Sequence, residues 1–133
     1  MNLSVNLAPQ HPAGLILQNP VMAAAGPYGY GKEISRLLDL SRLGAIVTRG
    51  VTLRPQLGDL PPRLVRSPAG VLHGLGRPNP GLRVVIRDYA PLWAAWSLPV
   101  IVNIAGQNTG EYATIGATLD GVPPSPISRR SAR

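Results

Sequence analysis

The chain has 133 residues, a length that predicts a single domain large enough to bury a core. It contains no cysteine, which excludes disulfides, thiolate metal sites and a cysteine nucleophile or base within these residues. The net charge of +7 is compatible with nucleic-acid binding, but three of the 13 basic residues lie among the last five positions, so charge alone does not favour that function.

The first part of the chain predicts a hairpin followed by a buried strand. Residues 3–7 alternate apolar and polar side chains, as in a half-buried strand, and residues 15–17 form a second strand after a turn over residues 9–14. The apolar run over residues 21–25 is too short for a helix and indicates a strand that ends at Gly26.

A loop with glycines at positions 26, 29 and 31 follows this strand. A strand, a glycine turn and a helix N-terminus can direct backbone N–H groups at a phosphate or another polar ligand group. The order of the glycines is neither that of the dinucleotide-binding motif nor that of the P-loop. The spacing alone therefore favours a tight turn that needs glycine for its backbone angles.

A helix and a second buried strand are predicted next. Leucine and isoleucine side chains recur at helical spacing over residues 32–43, and Gly44 is typical of a helix end. Residues 45–48 are short and apolar, as in a strand of a buried parallel sheet.

The stretch over residues 49–81 shows no helical period and is rich in Pro, Gly and Arg. Residues 63–66 and 71–72 predict a second hairpin around residues 67–70. Residues 73–81 form a loop dense in turn residues, and such loops often carry ligand contacts. The pattern leaves a ligand-binding loop and a mobile surface loop about equally favoured.

Residues 82–96 predict a helix whose apolar face includes Trp93 and Trp96, which we expect in the core rather than at a ligand. Pro91 should kink or split this helix because proline lacks an N–H group and clashes with the preceding turn. Residues 99–104 then predict a third buried strand.

Asn103 is a polar residue near the carboxyl end of the third strand. A buried Asn costs free energy unless it is hydrogen-bonded, and its partner is as readily a ligand as another part of the protein. Asn108 and Glu111 have the spacing of a helix-capping pair. They predict a third helix with an apolar face that includes Ile115 and Leu119.

The predicted order is a β-hairpin and then three strand–helix units, an α/β pattern that implies a parallel sheet with right-handed crossovers. The sheet is either part of a TIM (β/α)₈ barrel or a small open sheet. Both architectures bind ligands at the carboxyl ends of their strands. Gly26, Arg49 and Asn103 each follow one of the three strands, so we expect them to converge on one site.

The helical pattern stops at Asp120, so we expect a domain over residues 1–120 and a disordered basic tail over residues 121–133. A tail that grips phosphates is the alternative. No apolar run reaches the length of a membrane span, and no secretion signal is evident, which favours the cytoplasm. His11 and His73 are far apart in the sequence and the acids do not cluster, so we expect no metal site.

Several motifs, in order and in register from about residue 3 to residue 122, resemble dihydroorotate dehydrogenase, in particular the catalytic subunit of the class 1B, NAD-linked bacterial form. The matching segments are residues 19–22 with the glycine loop, 44–48, 52–55, 62–63, 76 with 79–81, and 102–106. The resemblance implies the N-terminal part of a TIM barrel that holds FMN at the carboxyl ends of its strands. It further implies oxidation of dihydroorotate to orotate in pyrimidine biosynthesis. In this class, electrons pass to a partner subunit with FAD and an iron–sulfur cluster, and then to NAD.

The resemblance also implies which residues bind ligands. The FMN-binding positions correspond to Ala25, Gly26, Arg49, Gly50 and Asn103. The substrate-binding positions correspond to Arg49 and the loop His73, Gly74, Leu75, Gly76 and Arg77.

This sequence departs from the family pattern at three of these places. Ala25 replaces a serine that contacts FMN, and Arg49 replaces a lysine that touches both FMN and substrate. In the substrate loop only Gly76 is identical, and an asparagine amide that bridges substrate is lost. Arginine is larger than lysine and presents a planar fork, so the exchange at position 49 is not conservative at a tight site.

We expect the chain to be inactive alone. The family's catalytic cysteine and its later strands lie beyond residue 133, and a full barrel needs about 250 residues. The sequence after residue 121 indicates a frameshift, a premature stop or a wrongly assigned reading frame. The alternative to an enzyme fragment is a non-catalytic remnant or half-barrel that acts only by association with another chain, since three open-edged strands cannot close a barrel.

Overall fold

The computed structural model describes residues 1–12 and 14–122, so most of the predicted basic tail lies outside the described residues. The predicted N-terminal hairpin is confirmed. Strand β1 (Val5–Asn6) pairs antiparallel with β2 (Ile16–Leu17). The Leu7 N–H group donates to the Leu15 carbonyl at 2.8 Å, which continues the pairing toward the turn.

A three-stranded parallel sheet forms the centre of the molecule and is called the central sheet below. Its strands are β3 (Met22–Ala23), β4 (Ala45–Val47) and β7 (Val100–Ile101), in the order β3-β4-β7. An isolated parallel bridge between Val51 and Ile104 continues the pairing beyond the ends of β4 and β7. The three predicted strands are therefore present, although each is shorter than its apolar run. Only β4 is largely buried, because Met22 of β3 is exposed and both residues of β7 are half-buried.

The long connection between β4 and β7 contains the second predicted hairpin. Strand β5 (Leu64–Ser67) pairs antiparallel with β6 (Gly70–His73), and every residue of both strands is exposed. The 49–81 stretch is therefore not structureless, because β5 and β6 satisfy each other's backbone groups.

The predicted helix over residues 32–43 is wrong. The segment forms two short 3₁₀ turns, Ile34–Arg36 and Leu40–Arg42. Asp39 separates them in an extended conformation, because its side chain accepts hydrogen bonds from the Ser41 N–H at 3.0 Å and the Ser41 hydroxyl at 2.6 Å. These local bonds compete with the helical ladder.

The glycine loop after β3 is partly helical, which the sequence pattern did not predict. A single turn, α1 (Ala25–Tyr28), follows β3 directly and ends at Gly29. The Trp93 indole N–H donates to the Tyr30 carbonyl at 3.0 Å, which fastens the end of the loop to a later helix.

The predicted helix over residues 82–96 is one helical run whose geometry changes before Pro91. It consists of α2 (Leu82–Val84), a π-helical turn (Val85–Tyr89) and α3 (Ala90–Ala94). The π-helical turn is wider than an α-helical one. It precedes Pro91, at the place where the proline ring would clash with an α-helical backbone. The split that Pro91 predicted is therefore present as a change of helix type.

The last described helix, α4 (Thr109–Asp120), begins as the capping pair predicted. The Asn108 side chain accepts from the Glu111 N–H at 3.0 Å, and the Glu111 carboxylate accepts from the Gln107 N–H at 2.9 Å. Within the described residues, every helix is too short or too polar to cross a bilayer.

Two apolar clusters hold the helices against the central sheet. The larger contains Val51, Val85, Trp93 and Ile115, all buried, with Trp96 packed beside them, so the expected core role of both tryptophans is confirmed. The smaller one, centred on Ile46, packs the 3₁₀ turns against β4.

Candidate functional site

The segments that follow β3 and β4 meet at the carboxyl edge of the central sheet. The Arg49 backbone N–H donates to the Gly29 carbonyl at 2.8 Å. The Arg49 guanidinium donates from Nη2 to the Gly26 carbonyl at 3.3 Å. Ala25, the first residue of α1, directly precedes Gly26 in the chain. Backbone and side chain of Arg49 thus join the ends of the first two parallel strands.

Thr48 joins the ends of β4 and β7. Its hydroxyl donates to the Arg49 carbonyl at 3.0 Å and accepts from the Asn103 N–H at 3.1 Å. The Asn103 carbonyl in turn accepts from the Val51 N–H at 2.8 Å. Sequence reasoning missed Thr48, which is fully buried, although a hydroxyl at the end of an otherwise apolar strand is a usable signal.

The Asn103 backbone is fixed, whereas its side chain is exposed and makes no hydrogen bond with any residue that the structure describes. A Cβ built on Gly50 would lie 4.0 Å from the Asn103 Nδ2 atom, so these two residues are neighbours. The backbone N–H of Gly50 has no acceptor in residues 1–12 and 14–122. We call Gly26, Arg49, Gly50 and Asn103 the strand-end site.

Tyr30 lies beneath this site and is buried, with 9% of its surface exposed. Its hydroxyl donates to the Gly50 carbonyl at 3.3 Å, and its ring packs on Tyr89 with 4.8 Å between centroids. Burial, assisted by Tyr89, raises the pKa of Tyr30 to about 12, while the Arg49 charge acts in the opposite direction. Tyr30 is therefore a neutral hydrogen-bond donor that supports the Gly50 backbone at neutral pH.

We expect the chain to lose stability between pH 10 and about pH 12 because of Tyr30. An unfolded tyrosine ionises near pH 10. In this interval the folded state keeps a proton that the unfolded state loses, so the free energy of unfolding falls as pH rises, by on the order of 2 kcal/mol. Tyr30→Phe should flatten that fall when urea unfolding is measured across this range, and Tyr112→Phe, which alters an exposed tyrosine, is the matched control. An equal slope in Tyr30→Phe and wild type would contradict the assignment.

The substrate-loop residues His73, Gly74, Leu75, Gly76 and Arg77 are placed by a different part of the chain. The Leu75 carbonyl accepts from the Asp59 N–H at 3.2 Å, and the Gly74 N–H donates to the Arg63 carbonyl at 2.9 Å. A Cβ on Gly76 would lie 2.8 Å from the Asp59 backbone nitrogen, so this approach needs glycine. In the described chain, no hydrogen bond joins residues 73–77 to the strand-end site.

Asn79 connects the loop after residue 77 to the segment that follows β4. Its side-chain oxygen accepts from the Thr52 N–H at 3.2 Å, the Gly81 N–H at 3.0 Å and the Thr52 hydroxyl at 3.0 Å. Its amide group donates to the Arg77 carbonyl at 3.0 Å. Asn79 is buried, so it acts as a structural anchor for the loop rather than as a ligand contact.

Comparison with known proteins identifies relatives of this chain. The family model described as dihydroorotate dehydrogenase matches residues 8–125. The catalytic subunit of dihydroorotate dehydrogenase B (NAD(+)) from Desulforudis audaxviator is 49% identical over 111 residues, which are 84% of this chain and 36% of that protein. The protein of the same name from Pelobacter propionicus is 41% identical over 122 residues, 92% of this chain and 38% of that protein.

A solved structure gives the same result for the fold. The crystal structure of DHODH in complex with ferulenol from Eimeria tenella matches with a TM-score of 0.63 at 21% identity, over 97% of this chain and 39% of that chain. The central sheet and its helices thus correspond to the first part of a TIM barrel. The chain spans little more than a third of the length of these relatives. It belongs to the dihydroorotate dehydrogenase family.

Proposed function

We propose that this chain supplies the first three strands and one side of the FMN site of a class 1B dihydroorotate dehydrogenase catalytic subunit. The observation that carries the proposal is the convergence of Gly26, Arg49, Gly50 and Asn103 at the carboxyl edge of the central sheet. Ligands of barrel enzymes bind at this edge. Residues 1–120 would then be one partial-barrel domain.

The chemistry of the site fits a flavin. The isoalloxazine ring presents carbonyl oxygens and ring nitrogens that accept hydrogen bonds, and the site offers the Gly50 N–H, the Asn103 amide and the Arg49 guanidinium as donors. A Cβ on Gly26 would meet no atom within 4 Å, so the edge beside it is open. When bound, FMN would accept the hydride that dihydroorotate loses.

Arg49 has a particular role in this proposal. Its guanidinium presents five N–H donors, and the structure uses one of them on the Gly26 carbonyl at 3.3 Å. The remaining donors are available to a flavin carbonyl or to the carboxylate of dihydroorotate. The substrate loop would approach the substrate only if it bends toward the strand-end site. Its residues are His73, Gly74, Leu75, Gly76 and Arg77. Orotate release and electron transfer to an FAD and iron–sulfur subunit would follow in the cytoplasm.

Association with another chain is a second candidate function, and the open edges of the central sheet favour it. Within the described residues, β3 and β7 each pair on one side only. Val21 and Met22 beside the outer edge are 57% and 43% exposed. Edge strands with exposed apolar side chains are templates for pairing with another chain. In this alternative, a complementary chain would complete the barrel.

FMN titration of the full chain tests the first candidate. We expect quenching of flavin fluorescence to saturate at one FMN per chain. Arg49→Ala and Asn103→Ala should each raise the dissociation constant about tenfold, since each removes a hydrogen bond of about 1.4 kcal/mol. The matched control is Arg66→Ala, which removes an exposed arginine of the second hairpin.

The outcome separates the two candidates. Equal affinity in all four proteins would contradict the assigned site. Saturable binding that appears only in a dimer, by size-exclusion chromatography, would favour the association candidate. Binding by the monomer would favour the first.

A further inference from the structure

A groove with a volume of about 470 Å³ lies between the segment that follows β4 and the first turns of the helical run 82–94. Three arginines line it: Arg54 from the segment after β4, and Arg83 and Arg87 from the helix. Leu53 and Val84 form an apolar part of the wall of the groove. None of these residues belongs to the strand-end site, and the proposed flavin chemistry does not use them.

The floor of the groove is fixed before any ligand arrives. The Leu82 N–H donates to the Thr52 carbonyl at 2.9 Å, which ties the helix start to the neighbouring segment. A Cβ on Gly81 would lie 2.7 Å from the Pro55 nitrogen, so the two backbones are in direct contact. The buried side chain of Asn79 bonds both segments. Such a floor holds the arginine backbones in one geometry, which lowers the ordering cost of binding.

The charge of the groove is only partly compensated by the protein. Arg87 makes a bidentate ion pair with Asp88, at 2.6 Å and 2.8 Å. The guanidinium groups of Arg54 and Arg83 have no acceptor among the residues that the structure describes. The groove is therefore lined by two arginines without a compensating partner in the described residues, and by a third that is paired with an aspartate.

We propose that this groove binds the phosphate group of a small phosphorylated molecule. A phosphate monoester carries between one and two negative charges at neutral pH, which matches the two uncompensated arginines. Its tetrahedral oxygens accept the paired N–H donors of a guanidinium group. The volume is in the range of small-molecule sites, and Leu53 and Val84 offer apolar contact to the rest of the ligand. A concave groove favours such a ligand over the flat surface of an acidic protein.

Titration of the full chain with inorganic phosphate and with AMP, at constant ionic strength, tests this proposal. Isothermal calorimetry and phosphorus NMR report the binding. We expect one saturable site for both probes, with AMP the tighter because it also contacts the apolar wall. Arg54→Gln and Arg83→Gln should each weaken binding about tenfold. Arg83→Lys should be intermediate, because it keeps the charge and loses the fork.

Two controls decide whether the groove is the site. Arg36→Gln changes an exposed arginine elsewhere and should leave binding unchanged, and Asn103→Ala alters only the strand-end site. Equal weakening by Arg36→Gln would mean diffuse attraction and would overturn the proposal. Loss of phosphate binding in Asn103→Ala would place the anion at the strand-end site and would overturn it too. Binding that does not saturate at millimolar phosphate or AMP would also overturn the proposal. Circular dichroism confirms that each variant is folded.

Discussion

Asn79→Ala should destabilise the chain by about 3 kcal/mol, measured as the free energy of unfolding in urea. The substitution removes the acceptor of two backbone N–H groups, those of Thr52 and Gly81, at a position that is 7% exposed. A buried donor that loses its partner costs about 1–3 kcal/mol. The Arg77 carbonyl loses its donor as well, so the loop that precedes Asn79 should become more susceptible to proteolysis.

The control for this prediction is another asparagine of the same chain. Asn103→Ala truncates an exposed side chain that makes no hydrogen bond with the described residues, and it should change the free energy of unfolding by less than about 0.5 kcal/mol. Equal stability of Asn79→Ala and Asn103→Ala would show that the Asn79 network does not hold the loop.

Gly44→Ala should destabilise the chain by about 3 kcal/mol or more. A Cβ at this position would lie far inside van der Waals contact with the Asn19 carbonyl oxygen. The opposing segment cannot move away easily. The Gly44 N–H donates to the Val21 carbonyl at 2.8 Å, and the Asn19 side chain donates to the Arg42 carbonyl at 3.0 Å. The clash would therefore force β3 away from β4.

Gly116→Ala is the matched control for the Gly44 variant. A Cβ on Gly116 would meet no atom within 4 Å, and alanine is favoured over glycine inside a helix such as α4. It should therefore raise the melting temperature slightly. If Gly44→Ala melted at the same temperature as wild type, the close approach of Gly44 to the Asn19 backbone would be wrong.

Sequence reasoning predicted the elements whose patterns are local. The apolar runs at the three central strands, the second hairpin and the Asn108 cap are each determined by neighbouring residues, and all are present. The helix predicted over residues 32–43 failed because its leucines were assumed to face the core. Leu37 is 77% exposed and Leu38 is 50% exposed, so burial does not support a continuous helix there. Asp39 and Ser41 then favour a turn.

The candidate site was predictable only in part for a similar reason. The convergence of residues 26, 49 and 103 was expected from the parallel order of the strands. In the structure Arg49 bonds Gly26, and Asn103 lies beside Gly50. The support beneath them involves contacts between residues 20 or more positions apart, such as Tyr30 with Gly50 and Thr48 with Asn103. No spacing rule gives such pairs. The role of Asn79 as the anchor of its loop was not predictable either, because the sequence placed it only within a turn-rich segment.

Backbone NMR of the full chain during FMN titration shows where on the chain the flavin binds. We expect saturable shifts of the Gly26, Gly50 and Asn103 backbone amide signals, accompanied by a shift of the Asn103 side-chain amide signal. The amides of residues 64–73 in the second hairpin should stay in place. Shifts that leave the strand-end site unchanged, or none that saturate, would contradict the claim that these three strand ends form part of an FMN site.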